Sequence, residues 1–163
     1  QLIFISSFFL DAYAFSTEGI IGYSLGKKSL KMFSSTVKSS LILSFITGVL
    51  ISIFFLFLAK EIINLITDLE FLRFLTYKYL IWIIFIPPIA SIAYQLDGIF
   101  IGATQTKELR NAMIVSVIIY LFLSVFLTKQ LHNYGIWFSL LLFMILRAST
   151  LHFYFSKILN QFR

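Results

Sequence analysis

The stretch IASIAYQLDGIFIGATQTKELRNAM, residues 89–113, decides the fold because it places a carboxylate inside an apolar segment. Asp97 follows a run without charged side chains, and the apolar run continues beyond it through Gly98 and Gly102. A charged group at the centre of a bilayer costs at least about 2.5–3.5 kcal/mol on insertion scales. An aspartate in this position therefore needs a compensating partner or a function.

The composition is that of an integral membrane protein. Of the 163 residues, 60% are hydrophobic and 12% are charged, whereas about 25% of a soluble domain is charged. The absence of cysteine excludes disulfides and thiolate metal sites. A net charge of +6 suggests nucleic acid in a soluble chain. Here the lysines flank apolar runs, so we interpret them as orientation signals and expect no nucleic-acid partner.

Apolar segments of about 20 residues predict transmembrane helices, and the alternation typical of a membrane barrel is missing. We predict an all-α integral membrane fold, in which Pro87 and Pro88 kink the third helix. The chain starts without methionine inside an apolar run, so we expect it to be part of a longer protein. The five predicted spans cover about residues 1–26, 38–59, 73–103, 109–128 and 134–158.

The loops between these spans differ in charge. The first loop, the third loop and the tail together hold eight lysines and arginines, including Lys157 and Arg163, and the other two loops hold three. The positive-inside rule therefore places the lysine-rich first loop and the carboxyl terminus in the cytoplasm.

Four charged residues lie away from the predicted helix ends: Asp11, Glu18, Asp97 and Arg147. At 1.5 Å per residue, Asp97 is about 9 Å, Glu18 about 13 Å and Arg147 about 15 Å from the cytoplasmic ends, with Asp11 near the midplane. Asp11 and Glu18 are two helical turns apart and share one face. We expect all four to border one internal cavity.

Two interpretations of these charges stay open. In the structural one, Arg147 pairs with one carboxylate and the other acids bond to hydroxyl groups or reach the membrane interface. In the functional one, three acids outnumber one base, and a desolvated carboxyl group without a partner binds a proton or a cation such as Na⁺. Asp97, Asp11 and Glu18 are then candidate proton- or ion-coupling residues, Arg147 is their charge partner, and Asp97 is a candidate Na⁺ ligand.

Catalytic motifs are missing. The sequence contains no H-E-x-x-H or G-x-S-x-G pattern, and His132 and His152 are isolated. We therefore expect no enzymatic activity, no catalytic residues and no resident cofactor or metal beyond the coupling ion, H⁺ or Na⁺.

Three segments carry a resemblance to a known family: LDAYAFSTEGIIGYSLGKKS, YLIWIIFIPPIASIAYQLDGIFIGATQTKELRNAM and HNYGIWFSLLLFMILRASTL. Together they resemble the multidrug and toxic compound extrusion (MATE) family, in particular its DinF-like branch. The resemblance implies a twelve-helix transporter of two six-helix lobes, of which these spans are helices 8–12. The amino-terminal lobe would be missing from this sequence and would be its partner.

The resemblance also implies roles for particular residues. Asp97 matches the acidic residue that the family places in the cation site of the carboxyl-terminal lobe. Asp11 and Glu18 match acids of the eighth helix in the DinF-like branch, and Arg147 matches an arginine of the last helix. In some members the proton site is an aspartate on the first helix, which lies outside this sequence.

The function implied by the resemblance is an antiporter that exports amphiphilic or cationic organic compounds in exchange for H⁺ or Na⁺ by alternating access. Its partners would be a small organic substrate and the lipid of a bacterial inner membrane. Tyr94, one turn before Asp97, is the best candidate for the substrate cavity, followed by Gln95 and Asn111. A lipid-linked flippase of the same superfamily, whose cavity would be more basic, and a non-transporting membrane scaffold are the alternatives.

Overall fold

The computed structural model describes residues 1–162, and within them the chain is all-α. The prediction of five long helices is confirmed, and Arg163, which we counted in the tail, lies outside the described residues. The helices are α1 (Leu2–Gly26), α2 (Leu30–Ile66), α3 (Glu70–Gly102), α4 (Thr106–Leu131) and α5 (Asn133–Leu159), followed by a 3₁₀ turn at Asn160–Phe162.

Four of these helices, α2 to α5, are long and apolar enough to cross a membrane, judged by length and composition. Helix α1 is not in that group, although its 25 residues are enough for a bilayer. It carries the two acids Asp11 and Glu18 together with several serines. The first predicted span therefore forms as a helix, with two acids in its interior.

The predicted bounds of the second helix are wrong. It begins at Leu30 rather than residue 38 and ends at Ile66 rather than residue 59. The oxygen of Ser29 accepts a hydrogen bond from the backbone N–H of Met32 at 3.3 Å and caps the first turn. Charged residues mark where a helix leaves the bilayer, but lysine and glutamate are good helix formers, so the helix continues through them.

Helix α3 lies at the centre of the bundle and contacts all four other helices. Short connections make consecutive helices antiparallel, so α1, α3 and α5 run in one direction and α2 and α4 in the other. The α1–α2 and α3–α4 turns lie at one end of the bundle, together with Lys27, Lys28 and Lys107. We call this the lysine-rich end.

Two glycines bring α1 and α3 close together. A Cβ atom on Gly98 would lie 2.6 Å from the carbonyl oxygen of Ala14, and one on Gly102 would lie 2.5 Å from that of Glu18. Small residues four positions apart allow membrane helices to approach backbone to backbone. The register that these contacts impose places Asp97, the residue before Gly98, beside α1.

The two prolines do not interrupt α3, which is helical on both sides of them. Pro88 has no N–H to give to the carbonyl of Ile84 four residues earlier. The hydroxyl of Ser52 on α2 donates to that carbonyl at 2.6 Å instead. A side chain of a neighbouring helix thus satisfies the backbone group that the proline leaves without a partner, as hydrocarbon surroundings require.

Candidate functional site

Asp97 and Arg147 form an ion pair between α3 and α5. The Nε of Arg147 donates to Oδ1 of Asp97 at 3.1 Å, and its Nη2 contacts the other carboxylate oxygen. The two side chains are only 11% and 15% exposed. Two parallel contacts between a guanidinium and a carboxylate make a strong, directional pair. The base among the four intramembrane charges is therefore paired with Asp97.

The packing of α3 on α5 holds this pair in place. Near the opposite end of the bundle, the ring of Tyr79 stacks on Trp137 with their centroids 6.4 Å apart. Apolar clusters lie on both sides of the pair along the helices. On the lysine-rich side the cluster includes Leu96 and Leu151, and on the other side it includes Met144. Water is largely excluded from the region around the pair.

A third charge, Asp11, belongs to the same region. It is half-buried on α1, where the preceding residue lines one crevice with Tyr94 of α3, and its charge acts on Arg147 and Tyr94. The guanidinium carbon of Arg147 lies 5.6 Å from the centre of the Tyr94 ring, within cation–π distance. Asp11, Tyr94, Asp97 and Arg147 form a cluster contributed by α1, α3 and α5, which we call the charge cluster.

Glu18 does not join the charge cluster. Its side chain is half-buried two turns further along α1, where its backbone contacts Gly102. Among residues 1–162 neither Glu18 nor Asp11 makes a salt bridge. Asp11 and Glu18 therefore lack an ion-pair partner within residues 1–162. Asp11 lies beside the Asp97–Arg147 pair, which is the only ion pair at membrane depth among these residues.

The structure separates the three candidates for the substrate cavity. Tyr94 is in the charge cluster and lines a narrow crevice with Ser7. Gln95 is fully buried and points at α1 instead, where its Nε2 donates to the hydroxyl of Thr17 at 2.5 Å. Asn111 is on α4 near the lysine-rich end, and its side-chain oxygen accepts from Arg110 at 3.4 Å. Within residues 1–162, neither Gln95 nor Asn111 hydrogen-bonds to Asp97 or Arg147.

A larger cavity lies at the opposite end of the bundle, between α1, α2, α3 and α5. Its volume is about 500 Å³, and its walls include the rings of Tyr79 and Trp137 together with Leu2 and Ile63. It does not reach Asp97 or Arg147. The charge cluster and this apolar cavity are therefore separate features of the same face of α3.

Sequence reasoning missed two polar contacts. The first is the bond between Thr17 and Gln95, which joins α1 to α3 one turn from the charge cluster. The second is an ion pair at the lysine-rich end, where Nζ of Lys157 lies 2.9 Å from Oε1 of Glu108. The signal for the second was present, because these opposite charges lie at the adjoining ends of two antiparallel predicted helices.

Comparisons with known proteins agree with this architecture. The sequence model of the MatE family matches residues 1–127. DNA damage-inducible protein F of Escherichia coli (strain K12) is 31% identical over 150 residues, which cover 92% of this chain and 32% of that protein. The chain thus spans about a third of the length of this relative. No solved structure gives a significant match.

Proposed function

Because the chain belongs to the MatE family, we propose that the protein is a secondary active antiporter that exports amphiphilic or cationic organic compounds. It would take up H⁺ or Na⁺ in exchange by alternating access. The five helices would form part of the carboxyl-terminal lobe, and further helices would form the other lobe. In this proposal the protein lies in a bacterial inner membrane with its carboxyl terminus in the cytoplasm.

The charge cluster is the observation that supports this proposal most strongly. It holds two carboxylates, Asp97 and Asp11, and one base, Arg147, on helices of apolar composition. Its net charge is negative when both acids are ionised. Such a charge at membrane depth is costly and marks ion or substrate pathways. One additional cation, whether a proton, a metal ion or an organic cation, would neutralise the cluster.

The single negative charge of the charge cluster also explains how export would be driven. An entering ion and a leaving organic cation compete for one negative charge, so binding of one releases the other. Each charge that moves down the membrane potential supplies about 2.3 kcal/mol per 100 mV. Rocking of one lobe against the other around the site would then open it alternately to each side.

The two alternative functions, a lipid-linked flippase and a non-transporting scaffold, differ in the charge that they require near Asp97. A flippase for lipid-linked pyrophosphate needs a basic cavity, and the excess of acid in the charge cluster disfavours it. A scaffold would use Asp97 and Arg147 only to fix α3 against α5, and their close pairing is the observation in favour of that alternative. Neutralisation of Asp97 separates the scaffold from the antiporter.

The test uses the protein expressed from its complete gene in everted membrane vesicles. We expect an imposed H⁺ or Na⁺ gradient to drive transport of a fluorescent cationic dye, and Asp97→Asn to abolish or strongly impair it while the protein still inserts. Asp68→Asn is the matched control because Asp68 is fully exposed between α2 and α3. Transport at the wild-type rate by Asp97→Asn would rule out a role for this carboxylate.

A further inference from the structure

We infer that Arg147 is an internal counter-cation shared by two acids, so that Asp11, rather than Asp97, accepts the exchangeable cation in these helices. The inference rests on the proposed antiport function and assigns its cation site to a different residue. Four observations support it: the closeness of the Asp97–Arg147 pair, the position of Asp11, the aromatic residues around Asp11, and the ring of Tyr94.

Asp97 is already neutralised by an internal cation. Both of its carboxylate oxygens contact the guanidinium of Arg147, and both side chains are largely buried. A second cation at Asp97 would either be repelled by this guanidinium or have to displace it, and displacement would leave a buried charge without a partner. As long as Arg147 stays in this position, Asp97 is a poor site for an incoming cation.

Asp11 is available in the same arrangement. It makes no salt bridge within residues 1–162. Its charged or titratable neighbours are the other members of the charge cluster, Tyr94 and Arg147 together with the Asp97 carboxylate that Arg147 holds. Its side chain is half-buried rather than enclosed, so a ligand can reach it. Asp11 thus combines a negative charge, access and partial desolvation.

The surroundings of Asp11 suit an organic cation. Phe8 and Phe15 lie one turn to either side of it, with Phe4 one turn further, and all three rings are about 70% exposed among the described residues. The opposite face of α1, which includes Leu10 and Ala14, is buried against the bundle. A carboxylate between aromatic rings attracts a cation by its charge and by the faces of the rings.

Tyr94 allows the guanidinium to exchange partners. Its ring lies under the Arg147 guanidinium and lines the same crevice as Leu10, the residue before Asp11. Arg147 can therefore turn from Asp97 towards Asp11 while it keeps its cation–π contact. With Arg147 on Asp97, Asp11 can bind a proton, a metal ion or an organic cation. With Arg147 on Asp11, this acid is blocked. Arg147 thus competes with the incoming cation for Asp11.

A double variant separates this inference from the assignment of the cation to Asp97. In Asp97→Asn, Arg147 loses its partner and turns to Asp11, so we expect gradient-driven dye transport to fall by about 5–150-fold, the range of typical coupling energies. In Asp97→Asn/Arg147→Gln, Asp11 is free again, and transport should recover to within a few-fold of wild type. If Asp97 accepts the cation, the double variant stays as inactive as the single one, and the inference is overturned.

Variants of Asp11 test the same point without disturbing the pair. We expect Asp11→Asn to lose transport while Asp11→Glu, which keeps the carboxylate, retains it with an altered KM for the dye. Wild-type transport by Asp11→Asn overturns the inference even if the double variant fails to insert. Absence of gradient-driven exchange in the wild-type protein would instead contradict the proposed function. Protein amounts in the membrane are compared for every variant.

Discussion

Helix α5 contributes two bases to ion pairs, and the two pairs differ in their surroundings. Arg147 contacts Asp97 between packed helices, where the arginine side chain is 15% exposed. Lys157 contacts Glu108 at the lysine-rich end, where the lysine side chain is 53% exposed although the glutamate side chain is only 10% exposed. The two acids are therefore buried alike, but water and salt reach Lys157 far more easily than Arg147. Depth in the bundle sets the exposure of each base, and we expect the deeper pair to contribute more to stability.

The residue types fit these surroundings. Arginine has a planar fork that can bond both oxygens of a carboxylate, and it is more weakly hydrated than lysine. These properties lower the cost of a pair away from water, where Arg147 also lies over the ring of Tyr94. Lysine is a strongly hydrated point charge, which suits the exposed position of Lys157. An exchange of the two bases is therefore not conservative.

The largest expected effect comes from breaking the Asp97–Arg147 pair, which we call the inner pair, in contrast to the outer pair of Lys157 and Glu108. Arg147→Gln leaves Asp97 buried without a partner, and we expect a loss of about 3–5 kcal/mol in the free energy of unfolding. Lys157→Gln is the matched substitution at the outer pair, and we expect a smaller loss that decreases as salt is added, because the lysine it replaces is about half exposed. Unfolding of the purified protein in detergent micelles at low and high salt measures both.

The unfolding measurements can contradict the comparison of the two ion pairs in two ways. Equal losses for the two substitutions would show that depth does not distinguish the pairs. Salt dependence of the Arg147→Gln effect as strong as that of Lys157→Gln would show that water reaches Asp97. Recovery of most of the stability in Asp97→Asn/Arg147→Gln would support the expectation that the penalty arises from an unpaired charge rather than from lost packing.

The sequence was sufficient to find the charges but not to pair them. Gaps between charged residues identify Asp11, Glu18, Asp97 and Arg147 as residues of the helix interiors, and helical periodicity places Tyr94 rather than Gln95 on the side of Asp97. The partner of Arg147 depends on the register of α3 on α5 and of α1 on α3. Contacts between distant residues set both registers, and a single sequence does not encode them locally.

The helix ends show the same limitation. Charge-free windows locate the apolar core of α2, but the helix extends beyond this core at both ends. Hydropathy reports where a helix leaves the lipid, whereas the end of a helix depends on capping and turn geometry. The cap at Ser29 was visible as a residue type but not as a position, since several serines occur in that region.

A substitution of intermediate effect sharpens the comparison by moving Asp97 relative to α1. Gly98→Ala places a methyl group 2.6 Å from the carbonyl oxygen of Ala14, and we expect a loss of about 1–3 kcal/mol from overpacking. Gly19→Ala is the matched control on α1, because no atom lies within 4 Å of its Cβ position. It should be neutral or stabilising by up to about 1 kcal/mol.

The readout for the glycine pair is again unfolding in micelles, together with dye transport. Separation of α1 from α3 increases the distance between Asp11 and Asp97, so Gly98→Ala should slow transport more than Gly19→Ala does. Equal behaviour of the two variants would mean that the close approach of the backbones at Gly98 does not position the charge cluster.

The smallest expected effect concerns a neutral contact between α2 and α3, thirteen residues before Asp97 on α3. Ser52→Ala removes the hydroxyl that donates to the Ile84 carbonyl at 2.6 Å. Hydrogen bonds between membrane helices contribute about 0.6 kcal/mol on average and at most about 1.7 kcal/mol. Because Pro88 leaves this carbonyl without its usual donor, we expect the loss of stability to lie in the upper part of that range.

Ser149→Ala is the control, because the exposed Ser149 hydroxyl bonds within α5, to the Ile145 carbonyl. A loss from Ser52→Ala as large as that from Arg147→Gln would show that backbone satisfaction at the prolines, rather than charge, dominates the stability of the bundle interior.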